Sequence, residues 1–549
     1  MNFLESIFSA LRSHPDRVVL QEAWADRVER ATAAELLSDV ARARAFLRAA
    51  GMQRGERCAV IAPNRIRWAA LDLAIMAEGI LKVPMYTRQA PEELVTMMRD
   101  CSASLVVCSD ETLRGAVRAH WPDAPPVHVL DEVFAGDAAV DDEGPIPRTA
   151  DDRLAILYTS GTSGVSKGVV LTVGNLDHML PCTMQRLDEL MGGFRGQERV
   201  FHYLPFCFAG SWILLLTSLT RCSLLTLATD LEGLPQQMGV AAPHYFLNVP
   251  MLLDRMREGI DQKLRAAPGP IRGLYAHATA AWARRQEGRS QATDGMWLAA
   301  ARAVVFRALR KKISPNLMTL ISGSAPLSED TQLFFEMLGI PVLQVYGLTE
   351  TTAICTMDLP RGKRRPGYVG HTVAGVEMKL GPGDEILVRG PNIFPEYWER
   401  PQETASCLRD GWFHTGDQGG VDEVGNWRII GRVKNLIVLS SGHNVAPDPI
   451  EERLRQSIAG AQQVVIVGHK RKHLTAIVTG EVSEPDVRAA IEALNPTLPH
   501  YQRVRAHHVE PEPFSTENGF LTANGKLKRQ LVLERFDTAI EEMYASSTV

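Results

Sequence analysis

Tyr158-Thr-Ser-Gly161-Thr-Ser-Gly164-Val-Ser-Lys167-Gly168 lies between two apolar runs, Leu154-Ala-Ile-Leu157 and Val169-Val-Leu171. A buried strand therefore enters the stretch, turns through three glycines, and leaves as a second apolar strand. Glycine lets backbone N–H groups converge on an anion. Thr159, Ser160, Thr162, Ser163 and Ser166 add hydroxyls, and Lys167 adds a positive charge. The composition suits a triphosphate. It is not the Walker arrangement, whose glycines and lysine fall at other intervals. Taken alone, the stretch also reads as a Ser/Gly-rich surface turn.

The 549 residues suffice for a large domain and at least one smaller one. Hydrophobic residues make up 45% and charged residues 22%, which is ordinary for a globular chain with a full core. A formal charge of −5 offers no sign of a nucleic-acid partner. The basic runs Arg307 to Lys312 and Arg361 to Arg365 read as solvated faces. The eight cysteines are scattered without metal spacing, as expected of reduced thiols in a cytoplasmic protein. Met1-Asn-Phe-Leu-Glu-Ser has no basic n-region, which argues against a signal peptide. The most apolar run, Trp212 to Leu219, is too short for a membrane span. Peripheral membrane contact and a homodimer are left open.

Strand and helix patterns alternate in the first part. Thr32 and Glu35 have capping-box spacing ahead of a helix running to Ala49, with Leu36, Val40, Ala43 and Leu47 on one side. Arg57 to Ala62 reads as a strand, Arg67 to Glu78 as a helix, and Leu105 to Cys108 as another strand. This is the pattern of α/β layers with parallel strands. Residues from about Ala135 to Asp152 read as a surface linker. Asp261 to Lys312 reads as a polar helical excursion on the surface, and about 365–425 as a small β-rich subdomain. A separate α+β unit follows Gly431-Arg432. It holds a helix at Pro449 to Gln456, strands at Val464 to Val467 and Thr475 to Val478, and a helix at Glu484 to Leu494. Domains of 1–431 and 432–549 are therefore expected.

Five further segments suit the same ligand. Ser322-Gly323-Ser324-Ala325-Pro326 permits close backbone approach to a flat ring. In Tyr346-Gly347-Leu-Thr349-Glu350, the tyrosine can stack on a base, the threonine can bond a phosphate, and the carboxylate can hold Mg²⁺ among phosphate oxygens. A strand end with a solvated glutamate is the plainer reading. Asp417, in Trp412-Phe-His-Thr-Gly-Asp417, suits ribose hydroxyls. Arg432 and Lys434 place two cations at the expected domain boundary. Lys526 follows a glycine near the C-terminus. Each of these is weak alone.

In order and spacing, these segments resemble the adenylate-forming superfamily of acyl- and aryl-CoA synthetases, adenylation domains and luciferases. The likeness covers nearly the whole chain, from Ala59-Val-Ile-Ala-Pro-Asn64 to Lys526. Ser322 to Ser328, Pro341 to Thr351 and Glu517 to Lys526 look most like the long-chain acyl-CoA synthetase branch. The resemblance implies a large N-terminal α/β domain with a β-rich subdomain and a small, mobile α+β C-terminal domain hinged near Lys434. It implies that ATP, Mg²⁺ and a carboxylic acid give acyl-AMP and pyrophosphate, and that coenzyme A then takes the acyl group.

Residue by residue, the resemblance gives the phosphates to the loop Thr159, Ser160, Gly161, Thr162, Ser163, Gly164 and Lys167. Adenine falls to Gly323, Ser324, Ala325, Pro326, Tyr346 and Gly347, and the ribose to Asp417 and Arg432. Glu350 would ligate Mg²⁺ beside Thr349, and Lys526 would catalyse adenylation. Phe208, Trp212 and Thr351 would border a medium- to long-chain or bulky apolar acyl group. Trp212 matches a tunnel gate, or else is a core aromatic. The thiol would enter beside Ser441, Gly442 and His443.

The sequence departs from the family pattern at Ser163 and Ser166 in the loop, at Phe208 in place of a common histidine, at Asn435, and at Asp448-Pro449. An acyl carrier protein in place of coenzyme A, a luciferase-like oxidation and a non-catalytic nucleotide binder stay open as alternatives.

Overall fold

The apolar runs flanking the glycine stretch form the last two strands of a six-stranded sheet. The structure is a computed structural model that describes residues 1–136, 143–159, 166–362, 364–522 and 525–546. Arg153–Thr159 pairs antiparallel with Lys167–Thr172, with Thr159 opposite Lys167 and Tyr158 opposite Gly168. The other strands run parallel in the order Val127–Val129, Leu105–Cys108, Arg57–Ile61, Leu81–Met85 and then Arg153–Thr159. Parallel sheets are covered on both faces, which is why these strands are continuous apolar runs without alternation.

A nine-stranded sheet lies beside it. Its centre is the parallel set Val342–Tyr346, Leu320–Ser322, Tyr245–Asn248, Arg199–His202 and Leu224–Ala228. One core cluster contains residues of both sheets and of the helices between them, including Ala33–Ala49, Ile66–Ala77 and Ala209–Thr220. The capping box expected at Thr32 and Glu35 is formed, and Leu36, Val40, Ala43 and Leu47 are buried. The apolar run at Trp212 lies in Ala209–Thr220, a wholly interior helix. Among the described residues, no helix is long and apolar enough to cross a membrane.

The segment expected as a surface excursion needs correction. Pro250–Arg265, Gly269–Gln286, Asp294–Ala301 and Arg307–Ile313 are helical. They build a second core around Tyr275, Ala278, Ala281, Leu298 and Phe306, against Phe201, Phe246 and Leu320 of the nine-stranded sheet. A narrow buried stripe beneath a strongly polar outer face hid this from composition. The expected linker lies partly outside the described residues.

The β-rich part is a five-stranded antiparallel sheet of Glu377–Leu380, Glu385–Arg389, Leu408–Arg409, Trp412–Val421 and Trp427–Arg432. Beyond it, Ala461–Val467, Leu474–Gly480 and Val504–Glu510 form a three-stranded sheet with its own core, covered by Asp448–Ser457 and Glu484–Leu494. The architecture is α/β with a large N-terminal and a smaller C-terminal part.

Candidate active site

The carboxyl ends of parallel strands are where open α/β sheets bind ligands, and the singled-out segments gather there. Leu320–Ser322 ends at Gly323, and Val342–Tyr346 ends at Gly347. A Cβ on Gly323 would lie 2.6 Å from Val345 Cγ2, so this glycine serves strand packing as well as any ligand. Ser324, at φ +72°, takes a left-handed turn rare for a non-glycine residue. It begins an exposed crest with Ala325 and Pro326. A Cβ on Gly347 would overlap the backbone of Ala353 and Ile354, so the turn carrying Thr349 and Glu350 can fold back closely only over glycine.

That turn, Thr349–Thr351, sets the direction of Glu350. The Tyr397 hydroxyl donates to Glu350 Oε1 at 2.8 Å, and the Lys167 ammonium stands 5.2 Å from the centre of the same phenol ring. Two backbone ties hold this segment to the strand carrying Lys167. Trp398 N donates to Gly168 O at 2.7 Å and Val170 N to Glu396 O at 3.1 Å, which sets Val169 opposite Tyr397. Tyr397 thus joins a cation and a carboxylate that are 183 residues apart in sequence (350 − 167). Sequence reasoning missed it, because a tyrosine in an irregular connection carries no local signal. Burial and the neighbouring carboxylate push its phenol pKa upward, so it is a donor at neutral pH. Ser160, Gly161, Thr162, Ser163 and Gly164 lie outside the described residues. Thr159 and Lys167 hold the two ends of the loop.

Asp417 is buried, and both of its oxygens are engaged. Tyr346 Oη donates to Oδ2 at 2.7 Å, and Arg432 Nε stands 2.9 Å from Oδ1. Arg432 also donates from Nη1 to Thr415 O at 3.2 Å. Desolvation raises the Asp417 pKa, while Arg432 and the Tyr346 hydroxyl act against that rise. Tyr346 was expected to offer its ring to a base. The structure adds a polar tie from its hydroxyl to Asp417.

Lys526 comes into this group from the far end of the chain. The residue keeps exposed surface, but its ammonium is desolvated, and that desolvation lowers its pKa. Arg432 lowers it further, whereas Asp417 and Glu350 raise it. A cation so placed is free to meet an incoming anion. An ion pair between Arg455 and Asp254, at 3.2 Å, seats the C-terminal part. Asp448, one of the departures from the family pattern, accepts from Arg432 N at 3.3 Å at the junction itself.

The remaining candidates lie apart. Trp212 is fully buried. Its indole donates to Asp72 Oδ2 at 3.0 Å, and the Lys82 ammonium sits 3.4 Å from its ring centre, which favours the core-aromatic reading over the gate. The Thr351 hydroxyl accepts from Leu348 N at 2.9 Å and donates to Leu348 O at 3.1 Å. It is buried and holds the turn; nothing directs it at a pocket. Phe208 is half-buried, 5.8 Å from the Tyr86 ring. Lys434 lies exposed in the turn Val433–Asn435. Ser441, Gly442 and His443 are exposed in the tight connection between Ile437–Val438 and Asn444–Val445, far in sequence from the loop.

The family model described as AMP-binding enzyme matches residues 7–398, and that of the AMP-binding enzyme C-terminal domain matches 434–548. Long-chain-fatty-acid–CoA ligase FadD15 of Mycobacterium tuberculosis is 28% identical, over 99% of this chain and 97% of its own. Long-chain-fatty-acid–[acyl-carrier-protein] ligase AEE15 of Arabidopsis thaliana is 26% identical, over 98% and 86%. ATP-bound MatB from Rhodopseudomonas palustris superposes with a TM-score of 0.75 at 25% identity, over 98% of this chain and 99% of that one.

Proposed function

The chain belongs to the AMP-binding enzyme family, and from that premise we propose that it activates a medium- to long-chain or bulky apolar carboxylic acid with ATP and transfers the acyl group to coenzyme A. In the first step a carboxylate oxygen bonds to the α-phosphorus of ATP and the bond to pyrophosphate breaks. In the second, the thiol sulfur bonds to the acyl carbon, AMP leaves, and the thiol proton passes to solvent. One observation carries the reading. Asp417 and Arg432, opposite each other on paired strands, and Glu350, from the turn after Val342–Tyr346, all act on the charge of Lys526, which arrives from the far end of the chain.

The first step brings two anions together, so fixed cations and donors must offset their repulsion. Lys526 and Lys167 would do so, with Thr159 and the glycine loop at the phosphates. Asp417 and Arg432 would take the ribose, and Gly323 to Pro326, with Tyr346 and Gly347, the adenine. Among the described residues, no group of three or more His, Cys, Asp or Glu is arranged to hold an ion unaided. Glu350, with Thr349 beside it, fits Mg²⁺ that shares its coordination with substrate phosphates, as Mg²⁺ commonly does. The ion would neutralise phosphate charge there. Tyr397→Phe, which removes only the hydroxyl from Glu350, is expected to raise the Mg²⁺-ATP requirement of pyrophosphate release about tenfold. An unchanged Mg²⁺ and ATP dependence would show that Tyr397 does not position Glu350.

We place the domain boundary at 431/432 and the hinge at Lys434. The thiol cannot reach the acyl carbon while Lys526 occupies the site, so the C-terminal part has to turn between steps. Lys434→Pro, which fixes φ, is expected to slow thioester formation more than adenylation. An unaltered second step in single-turnover assays would count against the hinge. The free thiols of all eight cysteines support a cytoplasmic location.

The function itself is tested by measuring pyrophosphate release over fatty, aryl and polycyclic acids, with coenzyme A or a holo acyl carrier protein as acceptor. An apolar acid and coenzyme A are the expected pair. No acid-dependent release with any acid would favour the non-catalytic alternative.

A further inference from the structure

The helices packed on the nine-stranded sheet carry a charge out of keeping with the rest of the chain. Residues 269–313 hold nine Arg or Lys against two acids, Glu287 and Asp294, on a chain whose formal charge is −5. Both acids are already engaged, Glu287 by Arg289 and Asp294 by Arg284. On the second helical arm, residues 294–313, Arg302, Arg307, Arg310, Lys311 and Lys312 are exposed and form no ion pair among the described residues. Arg307 stands three and four positions from Arg310 and Lys311, the spacings at which like charges on a helix repel. Nothing among the described residues offsets that repulsion.

The arm is held firmly. His277 of Gly269–Gln286 stacks on Trp297 at 4.3 Å, with 14° between the ring planes, and Tyr275 Oη donates to Asp261 Oδ1 at 2.6 Å. Leu298, Ala301, Val305 and Ile313 turn one side of the arm into the core. Met296, Ala299, Ala303 and Arg307 recur at helical spacing on the other side and are exposed. Between them the turn Arg302–Phe306 is widened to a π-helix, and it presents three successive residues, Arg302, Ala303 and Val304, to solvent. Met296 is 60% exposed and Val304 62%, so two large apolar side chains stand in water among unpaired cations. An anionic lipid surface suits both features, because its headgroups pair with the cations and its interfacial layer accepts the apolar side chains. A polynucleotide would use the cations alone.

We infer that the outer side of the 294–313 arm docks the protein on an anionic lipid bilayer, with Met296 and Val304 entering the interfacial layer and Arg302, Arg307, Arg310 and Lys311 pairing with headgroup phosphates. The docking is peripheral, since the apolar stripe on the inner side of the arm stays with the core. None of these residues belongs to the group around Lys526, so the inference stands apart from the acid-activating reading. The two meet in one consequence: an apolar acid partitions into the same bilayer.

Co-sedimentation of the full-length protein with vesicles tests this, using phosphatidylcholine alone or phosphatidylcholine with about one third phosphatidylglycerol. The protein should bind the anionic vesicles at least about tenfold more tightly than the neutral ones, and added salt should release it, a check that needs no variant. R307Q/R310Q/K311Q should weaken binding about a hundredfold, and M296Q/V304Q about tenfold. Glutamine keeps the helix propensity, and an unchanged thermal midpoint shows that each variant is folded. Equal affinity for neutral and anionic vesicles, binding to neither, or undiminished binding by R307Q/R310Q/K311Q would overturn the inference. Full binding by M296Q/V304Q would also overturn it, by reducing the surface to a charge patch that fits an acidic protein or a polynucleotide equally well. None of these readouts uses acid-dependent pyrophosphate release, so the ligase reading stands or falls separately.

Discussion

Lys526→Ala is expected to cut acid-dependent pyrophosphate release by roughly 10²–10³-fold while thioester formation from supplied acyl adenylate largely survives. The argument is electrostatic. Lys526 arrives from the far end of the chain, and its charge is held in a desolvated setting under the influence of Arg432 and of the carboxylates of Asp417 and Glu350. A charge kept from water stabilises a developing negative charge far better than a hydrated one does. The second step does not bring anions together at phosphorus, so it has no equal need of this cation. Equal loss in both assays would refute the assignment.

The pH dependence has a definite sign. Lys526 acts as a cation, and desolvation together with Arg432 lowers its pKa from the ordinary lysine value. The adenylation rate should therefore fall on the alkaline side, and at a lower pH than a free lysine would lose its proton. The first-step pH profile measures this directly. A rate that holds up to the ordinary lysine range would mean that the ammonium is not desolvated in the working enzyme.

How much of this was legible in the sequence depended on whether the physics was local. The Thr32–Glu35 capping box, the apolar strands around the glycine loop and the helix Glu484–Leu494 follow from residues a few positions apart, and they appear where expected. The helices between Pro250 and Ile313 were seen as helices but not as core, because their burial depends on a sheet face formed by strands far away in the chain. The site divided in the same way. Asp417, Glu350, Arg432 and Lys526 were singled out from their motifs. The hydroxyls that orient two of them, Tyr346 and Tyr397, took up those roles only when separate segments met. Thr351 looked like a pocket residue by position, but its hydroxyl already satisfies the backbone of Leu348.

Asp72→Leu and Lys82→Met are each expected to destabilise the protein by about 3–5 kcal/mol, and the double variant by much less. Lys82 and Asp72 form an ion pair 2.5 Å apart that is almost wholly shut off from solvent. The ammonium is flanked by the rings of Trp212, at 3.4 Å, and Trp68, at 5.3 Å, while the other carboxylate oxygen accepts from the Trp212 indole. Burial raises the Asp72 pKa and lowers that of Lys82 to about 8, so desolvation opposes both charges even in the pair. Removing one partner leaves the other with that penalty uncompensated, whereas two apolar residues of similar volume leave none.

The single variants should respond to pH in opposite directions. In Lys82→Met the lone Asp72 holds a proton in the folded state that it lacks when unfolded, so stability rises as the pH is lowered toward the unfolded carboxyl pKa. In Asp72→Leu the lone Lys82 lacks a proton that the unfolded chain holds, so stability rises as the pH is raised. Each slope approaches about 1.4 kcal/mol per pH unit, and the double variant should show neither. Denaturant midpoints followed by tryptophan fluorescence across pH measure this. The same series decides between the two readings of Trp212. A core aromatic locked by Asp72 and Lys82 predicts these stability losses with the preferred acyl chain length unchanged. A mobile gate predicts the reverse, an altered chain-length preference with little loss of stability, because a ring that swings cannot depend on a fixed acceptor and a fixed cation.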